Sequence, residues 1–107
     1  MGVELAWACG LFEGEGSIHA GRKAPRGQPR SQRRLQLTIA DRDVLDRFHA
    51  AVGGVGKVRA VKLVPGHKQL YTWYLYRTAD ILALLDEIEP MLGERRRAQA
   101  AKLRAAV

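Results

Sequence analysis

Two carboxylates, Glu13 and Glu15, flank Gly14 at the end of a helix-patterned stretch and are the residues of this chain best suited to chemistry. A helix C-terminus is the negative end of the dipole and disfavours carboxylates. A bound cation reverses that sign, so a metal explains the pair better than helix stability does. Carboxylate oxygens are hard ligands that suit Mg²⁺, which takes one or two of them and leaves its other positions to water and substrate phosphates. Hydrolysing a phosphodiester needs an activated water and a stabilised leaving oxygen, and divalent ions about 3.5–4 Å apart supply both in two-metal sites. Other metal chemistry is poorly provided for. Cys9 is the only cysteine, which excludes a disulfide framework and a cysteine-based zinc site. His19 has no partner His or Cys at ligand spacing.

The element that must position the acids runs from Glu4 to Gly16, ELAWACGLFEGEG. Leu5, Ala8, Cys9, Leu11 and Phe12 recur at the three-and-four spacing of a helix face packed on a core. Ala6, Gly10 and Gly14 lie four apart on the other side and carry almost no side chain. Glycine inside a helix costs on the order of 1 kcal/mol against alanine. Two on one stripe therefore imply the close approach of another backbone, as where small residues four apart let helices touch. Gly16 is expected to end the helix in the left-handed conformation.

The nine residues ACGLFEGEG resemble the signature of the LAGLIDADG homing endonucleases. Gly10, Leu11 and Gly16 are identical to it, Glu13 and Glu15 replace its aspartates, and Trp7 and Ser17-Ile18 also suit that family. The resemblance implies that Glu15, with Gly14, is the metal position, and that Glu13 closes the helix or supports the site. It implies Mg²⁺, with Mn²⁺ as a substitute. One chain carries one copy of the motif and a duplex has two strands, so two copies of Glu15 must meet. A twofold homodimer packed through Ala6, Gly10 and Gly14 would arrange this.

Eighteen Lys and Arg against eleven Asp and Glu give a formal charge of +7 in 107 residues. This length suits one domain, residues 1–107, with a single core. The charge points to a polyanionic partner, and nucleic acid before membrane, because no basic amphipathic helix stands out. Arg22, Lys23, Arg26, Arg30, Arg33 and Arg34 fall in a window without an acid. No apolar run reaches membrane-spanning length and no signal-peptide pattern opens the chain, so a cytoplasmic protein without a small-molecule substrate is expected.

Beyond the motif, residues 17–23 read as a strand with Ile18 and Ala20 on one face and Ser17, His19 and Lys23 on the other. Residues 24–32, with two prolines, form a loop that is either a basic connector or an arm that orders on phosphates. Residues 33–40 alternate, Leu35, Leu37 and Ile39 inward and Arg34, Gln36 and Thr38 outward. A helix over 41–52 buries Val44, Leu45 and Phe48, with Asp41 as its N-cap. Gly53, Gly54 and Gly56 stop it; they make no phosphate loop, lacking a Lys-Ser/Thr pair and a following helix. Strands are expected over 57–64 and 69–76, turning at Pro65–Lys68. A helix over 78–92 contains Pro90, which kinks or shortens it, and 94–107 is expected to be a fraying last helix.

The order predicts an α+β sandwich, αββαββα, with helices on one face of an antiparallel sheet. The resemblance implies the same arrangement, with the uncovered sheet face forming a saddle on DNA. That face carries Arg34, Gln36, Thr38, Lys57, Arg59, Thr72, Tyr74 and Tyr76, joined by Ser17, His19 and Lys23. Arg and Lys suit guanine edges and phosphates, Gln suits adenine, and a two-stranded ribbon fits the major groove. Two catalytic positions rest on the resemblance alone. Asp41 falls where the family often has a polar residue holding the water network, and Arg95 falls at the place of a lysine near the cleft. Arginine stabilises developing charge but is no base at neutral pH. The function expected is a site-specific, metal-dependent, double-strand DNA endonuclease of a mobile intron or intein. The alternatives are a catalytically impaired DNA-binding regulator of the same fold and an intron RNA maturase.

Overall fold

The alternating strand between the two halves of the chain sets the architecture. In the computed structural model, which describes residues 2–22 and 32–107, β2 (Arg34–Ile39) lies inside a four-stranded antiparallel sheet. It pairs with β1 (Gly16–His19) on one side and β4 (Tyr71–Leu75) on the other, and β3 (Lys57–Ala60) closes the far edge, giving the order β1-β2-β4-β3. The helices are α1 (Val3–Glu15), α2 (Arg42–Ala51), α3 (Thr78–Ile88) and α4 (Glu94–Ala105), with a 3-10 turn at Glu89–Met91. Lys23 and residues 24–31 of the expected basic loop lie outside the described residues.

Period-two alternation sends Leu35, Leu37, Trp73 and Leu75 to the helical side, where all are buried. They meet Ala8, Cys9 and Phe12 of α1, Leu45 and Phe48 of α2, and Ile81, Leu84, Leu85 and Ile88 of α3 in one cluster. Phe48 stacks on Phe12 with ring centroids 6.3 Å apart and meets Trp73 edge-on at 4.9 Å. Full burial of each such ring contributes about 1.5–3 kcal/mol, so this trio fixes α1 and α2 on the sheet. Among the described residues, no helix is long and apolar enough to cross a membrane.

Several boundaries differ from expectation for local reasons. Strand β1 ends at His19 because Gly21, at φ +75°, turns the chain. Strand β3 stops at Ala60, and the Gln69 side chain caps its pairing by donating to the main-chain oxygens of Val61 (2.7 Å) and Leu70 (2.8 Å). Helix α3 ends at Ile88 rather than Leu92, since Pro90 has no N–H and its ring would strike the Asp86 carbonyl of a continuing helix. Helix α4 does not fray. Ala100 and Leu103 are fully buried, and Arg104 reaches Asp86 (2.8 Å) and Glu89 (3.1 Å) across to the end of α3.

Gly16 is not a left-handed cap. Its φ of −80° and ψ of 168° are extended, and it already pairs with Leu37 as the first residue of β1. Glycine is required there because a Cβ would lie 2.5 Å from the Phe12 ring. Gly16→Ala is therefore expected to displace Phe12 and lower stability by about 1–3 kcal/mol, as overpacking does. An unchanged denaturation midpoint would show that the ring yields freely.

Candidate nucleic-acid interface and acidic helix end

The strand register assembles the polar side chains into rows. Ser17 pairs with Gln36, Gln36 with Tyr74, and Tyr74 with Lys57, so these four cross the sheet as one line. Thr38, Thr72 and Arg59 form a second line, and His19 sits opposite Arg34. Neighbours then orient one another. Arg34 donates its Nε–H to Gln36 Oε1 at 2.9 Å, and Thr38 and Thr72 share a hydroxyl hydrogen bond of 2.9 Å. The Arg59 guanidinium lies 5.5 Å from the Tyr74 ring centroid, and Tyr74 leans on Tyr76 at 5.1 Å. Lys57, Arg59 and Tyr76 are exposed, while Ser17, Arg34, Gln36, Thr38 and Tyr74 are half-buried. Such a face offers donors and acceptors already held in position.

Thr72 corrects the expectation that every outward residue of β4 presents itself. It is only 2% exposed, and its hydroxyl lies within hydrogen-bond distance of the Leu37 carbonyl as well as Thr38. It positions Thr38 from below and is not available for contact.

The two acids of α1 part company. Glu13 turns into the protein, where its Oε2 accepts a hydrogen bond from Gly93 N at 3.1 Å. Gly93 is the N-cap of α4, so the Glu13 carboxylate lies at the positive end of that helix and relieves the unfavourable site at the end of its own. A Cβ on Gly93 would come within 2.5 Å of Glu13 Oε1, so the approach needs glycine. Glu15 is exposed, and among the described residues no hydrogen bond or ion pair engages its carboxylate.

Arg95 is exposed, and it is Arg96 that reaches the motif. At 6% exposure, Arg96 directs its Nε–H at the Glu13 main-chain oxygen (3.4 Å) and donates through one terminal N–H to Gln99 Oε1 (3.0 Å). Helical spacing could have revealed this, because Arg96, Ala100 and Leu103 are the buried stripe of α4. Asp41 holds the N-cap position of α2, where its main-chain oxygen accepts from Leu45 N (3.1 Å), but its exposed side chain makes no capping bond.

Along the outer side of α1, Gly10 and Gly14 are exposed, and a Cβ on either would meet nothing within 4 Å. Among the described residues, nothing requires glycine at these positions. One flank is covered: Arg47 stacks 3.9 Å over the Trp7 ring and forms a two-pronged ion pair with Glu4 at 2.7 and 2.9 Å.

No family model matches the sequence, and no curated protein matches it significantly. Solved structures do match the fold. An archaeal intron-encoded homing endonuclease, I-Vdi141I complexed with DNA, superposes with a TM-score of 0.71 at 16% identity, over 96% of this chain and 66% of that one. The LAGLIDADG homing endonuclease I-GzeII in complex with its DNA target matches at 0.55 and 16%, over 78% of this chain and 28% of that one. The chain has the LAGLIDADG homing endonuclease fold. The homing endonuclease I-CvuI, in complex with its target in the presence of Ca, matches at 0.70 and 19%, over 97% of this chain and 66% of that one. The chain thus spans about two thirds or less of the length of these structures. Within the LAGLIDADG fold of this chain, the ACGLFEGEG signature forms the C-terminal two turns of α1 and the first residue of β1. Its two acids differ in surroundings: one is tied to α4 and the other is open.

Proposed function

We propose that two copies of this chain pack through the Ala6/Gly10/Gly14 stripe, bind double-stranded DNA on their polar sheet faces, and cut one phosphodiester in each strand. The observation that carries this reading is the unengaged Glu15 carboxylate at the end of the helix bearing that bare stripe. Pairing the stripes brings two Glu15 carboxylates, one per subunit, towards a common axis. The resemblance of fold to proteins solved on DNA supports the same partner.

The donor set fits Mg²⁺. Glu15 offers free carboxylate oxygens beside the main-chain oxygens of the last turn of α1, Gly14 among them. Among the described residues no three His, Cys, Asp or Glu converge, so substrate and water oxygens would complete the shell. When bound, the metal would lower the pKa of a water and stabilise the leaving oxygen. The chain's own residues do the rest. Glu13, held by Gly93, fixes the end of α1 and hence the place of Glu15. Arg96 adds fixed positive charge behind the same turn. Arg34, Gln36, Thr38, Lys57, Arg59, Tyr74 and Tyr76 set the register of the duplex, with Ser17 and His19 nearer the edge. Asp41 and Arg95, both exposed, would act through water or phosphate. Such an enzyme serves homing of a mobile intron or intein.

The test selects a site from randomised duplexes and assays binding and cutting on gels with Mg²⁺ and with Ca²⁺. Defined binding followed by double-strand cutting in Mg²⁺ is expected. Tight binding without cutting in Mg²⁺ or Mn²⁺ would instead make the protein a DNA-binding regulator.

A further inference from the structure

The edge of the sheet beside β1 holds a cleft of about 360 Å³ lined by Ile18, His19, Ala20, Gly21, Arg22, Arg34, Gln99 and Lys102. It is built by two layers that the sequence does not connect. His19 and Arg34 come from the polar sheet face, and Gln99 and Lys102 come from α4 on the other side. The cleft therefore wraps around the edge strand and extends the polar face past its last row. Among the described residues its polar side chains are two guanidiniums, one ammonium, one imidazole and one amide, and none is a carboxylate.

We infer that this cleft seats one phosphate group of the DNA backbone, gripped from the side by Arg22, Arg34 and Lys102 and oriented by Gln99. The inference rests on the DNA-binding reading above and adds to it a contact that carries no base information. A planar guanidinium fork matches two phosphate oxygens and an ammonium a third. Among the described residues only the Nε–H of the five N–H donors of Arg34 is taken, by Gln36, and Arg34 lines the cleft. Gly21, at φ +75°, turns the chain between His19 and Arg22, both of which line the cleft. The local field supports the reading. His19 titrates below the ordinary histidine range, first because it is partly desolvated and then because Arg34 repels its proton. Among the described residues, the charged groups that line the cleft with that ring are Arg22, Arg34 and Lys102. An anion among them would reverse the repulsion and draw the His19 pKa upward.

Two measurements on the full chain test this. In the first, the His19 ring is titrated by NMR with and without inorganic phosphate. Phosphate should raise its midpoint in the parent and raise it less in Lys102→Gln, a substitution at an exposed position. In the second, affinity for duplexes of several sequences is followed against salt. Lys102→Gln should reduce the slope of log K against log salt by about 0.9 for each cleft, or about 1.8 for the proposed homodimer, equally on every sequence. Gln36→Ala, by contrast, should change which sequence is preferred. An unmoved His19 midpoint with an unchanged slope overturns the cleft as a phosphate seat. A midpoint that moves with phosphate while the slope stays unchanged assigns the cleft to free phosphate and overturns the DNA contact. If no duplex binds at all while His19 still responds to phosphate, the anion chemistry stands and the DNA-binding reading falls.

Discussion

Glu15→Gln is expected to lower DNA cutting by orders of magnitude while leaving metal-free DNA binding intact or tighter. The carboxamide keeps the size of the side chain and removes the charge a divalent ion requires. No fold interaction is lost with it, because among the described residues the Glu15 carboxylate is free of hydrogen bonds and ion pairs. Binding should hold or improve because one negative charge per subunit no longer faces the phosphates. Glu13→Gln makes the internal control. Its amide oxygen can still accept from Gly93 N, but the charge at the start of α4 is gone, which costs about 0.3–1 kcal/mol of stability. The control should cut more slowly by a modest factor and melt earlier. Parent-rate cutting by Glu15→Gln in Mg²⁺ would remove Glu15 from the chemistry.

Gly14→Leu should convert the proposed dimer into a folded monomer and abolish double-strand cutting. Among the described residues a Cβ at this exposed position meets nothing within 4 Å, so a side chain there finds open space in the isolated subunit. Replacing a helical glycine should even stabilise that subunit by several tenths of a kcal/mol to about 1 kcal/mol. The same side chain inserted twice between two closely packed helices would force them apart. Light scattering should therefore report half the parent mass while circular dichroism is preserved. A Gly14→Leu protein that stays dimeric at the parent size would place the interface elsewhere.

Much of this is written locally in the chain. The alternation through Arg34–Ile39 determines that Arg34, Gln36 and Thr38 share a face, because successive side chains of a strand point to opposite sides. The spacing in α1 likewise determines that Ala8, Cys9 and Phe12 go inward while Gly10 and Gly14 stay out. The antiparallel α+β architecture follows from the order of these elements. Pro90 announces an early end to α3, although only the folded chain places that end at Ile88.

What separates Glu13 from Glu15 is not local. The partner of Glu13 is Gly93, eighty positions away, and only the docking of α4 against the end of α1 brings them together. The same docking selects Arg96 over Arg95, since one position on a helix turns a side chain by about 100°. It also keeps an alanine- and arginine-rich helix from fraying, because packing rather than composition holds it. Thr72 is outward by periodicity yet covered, because Gln36 and Thr38 close over it from the neighbouring strand. Periodicity determines the side of an element on which a residue stands. Only tertiary packing decides what meets it there, because those neighbours come from distant parts of the chain.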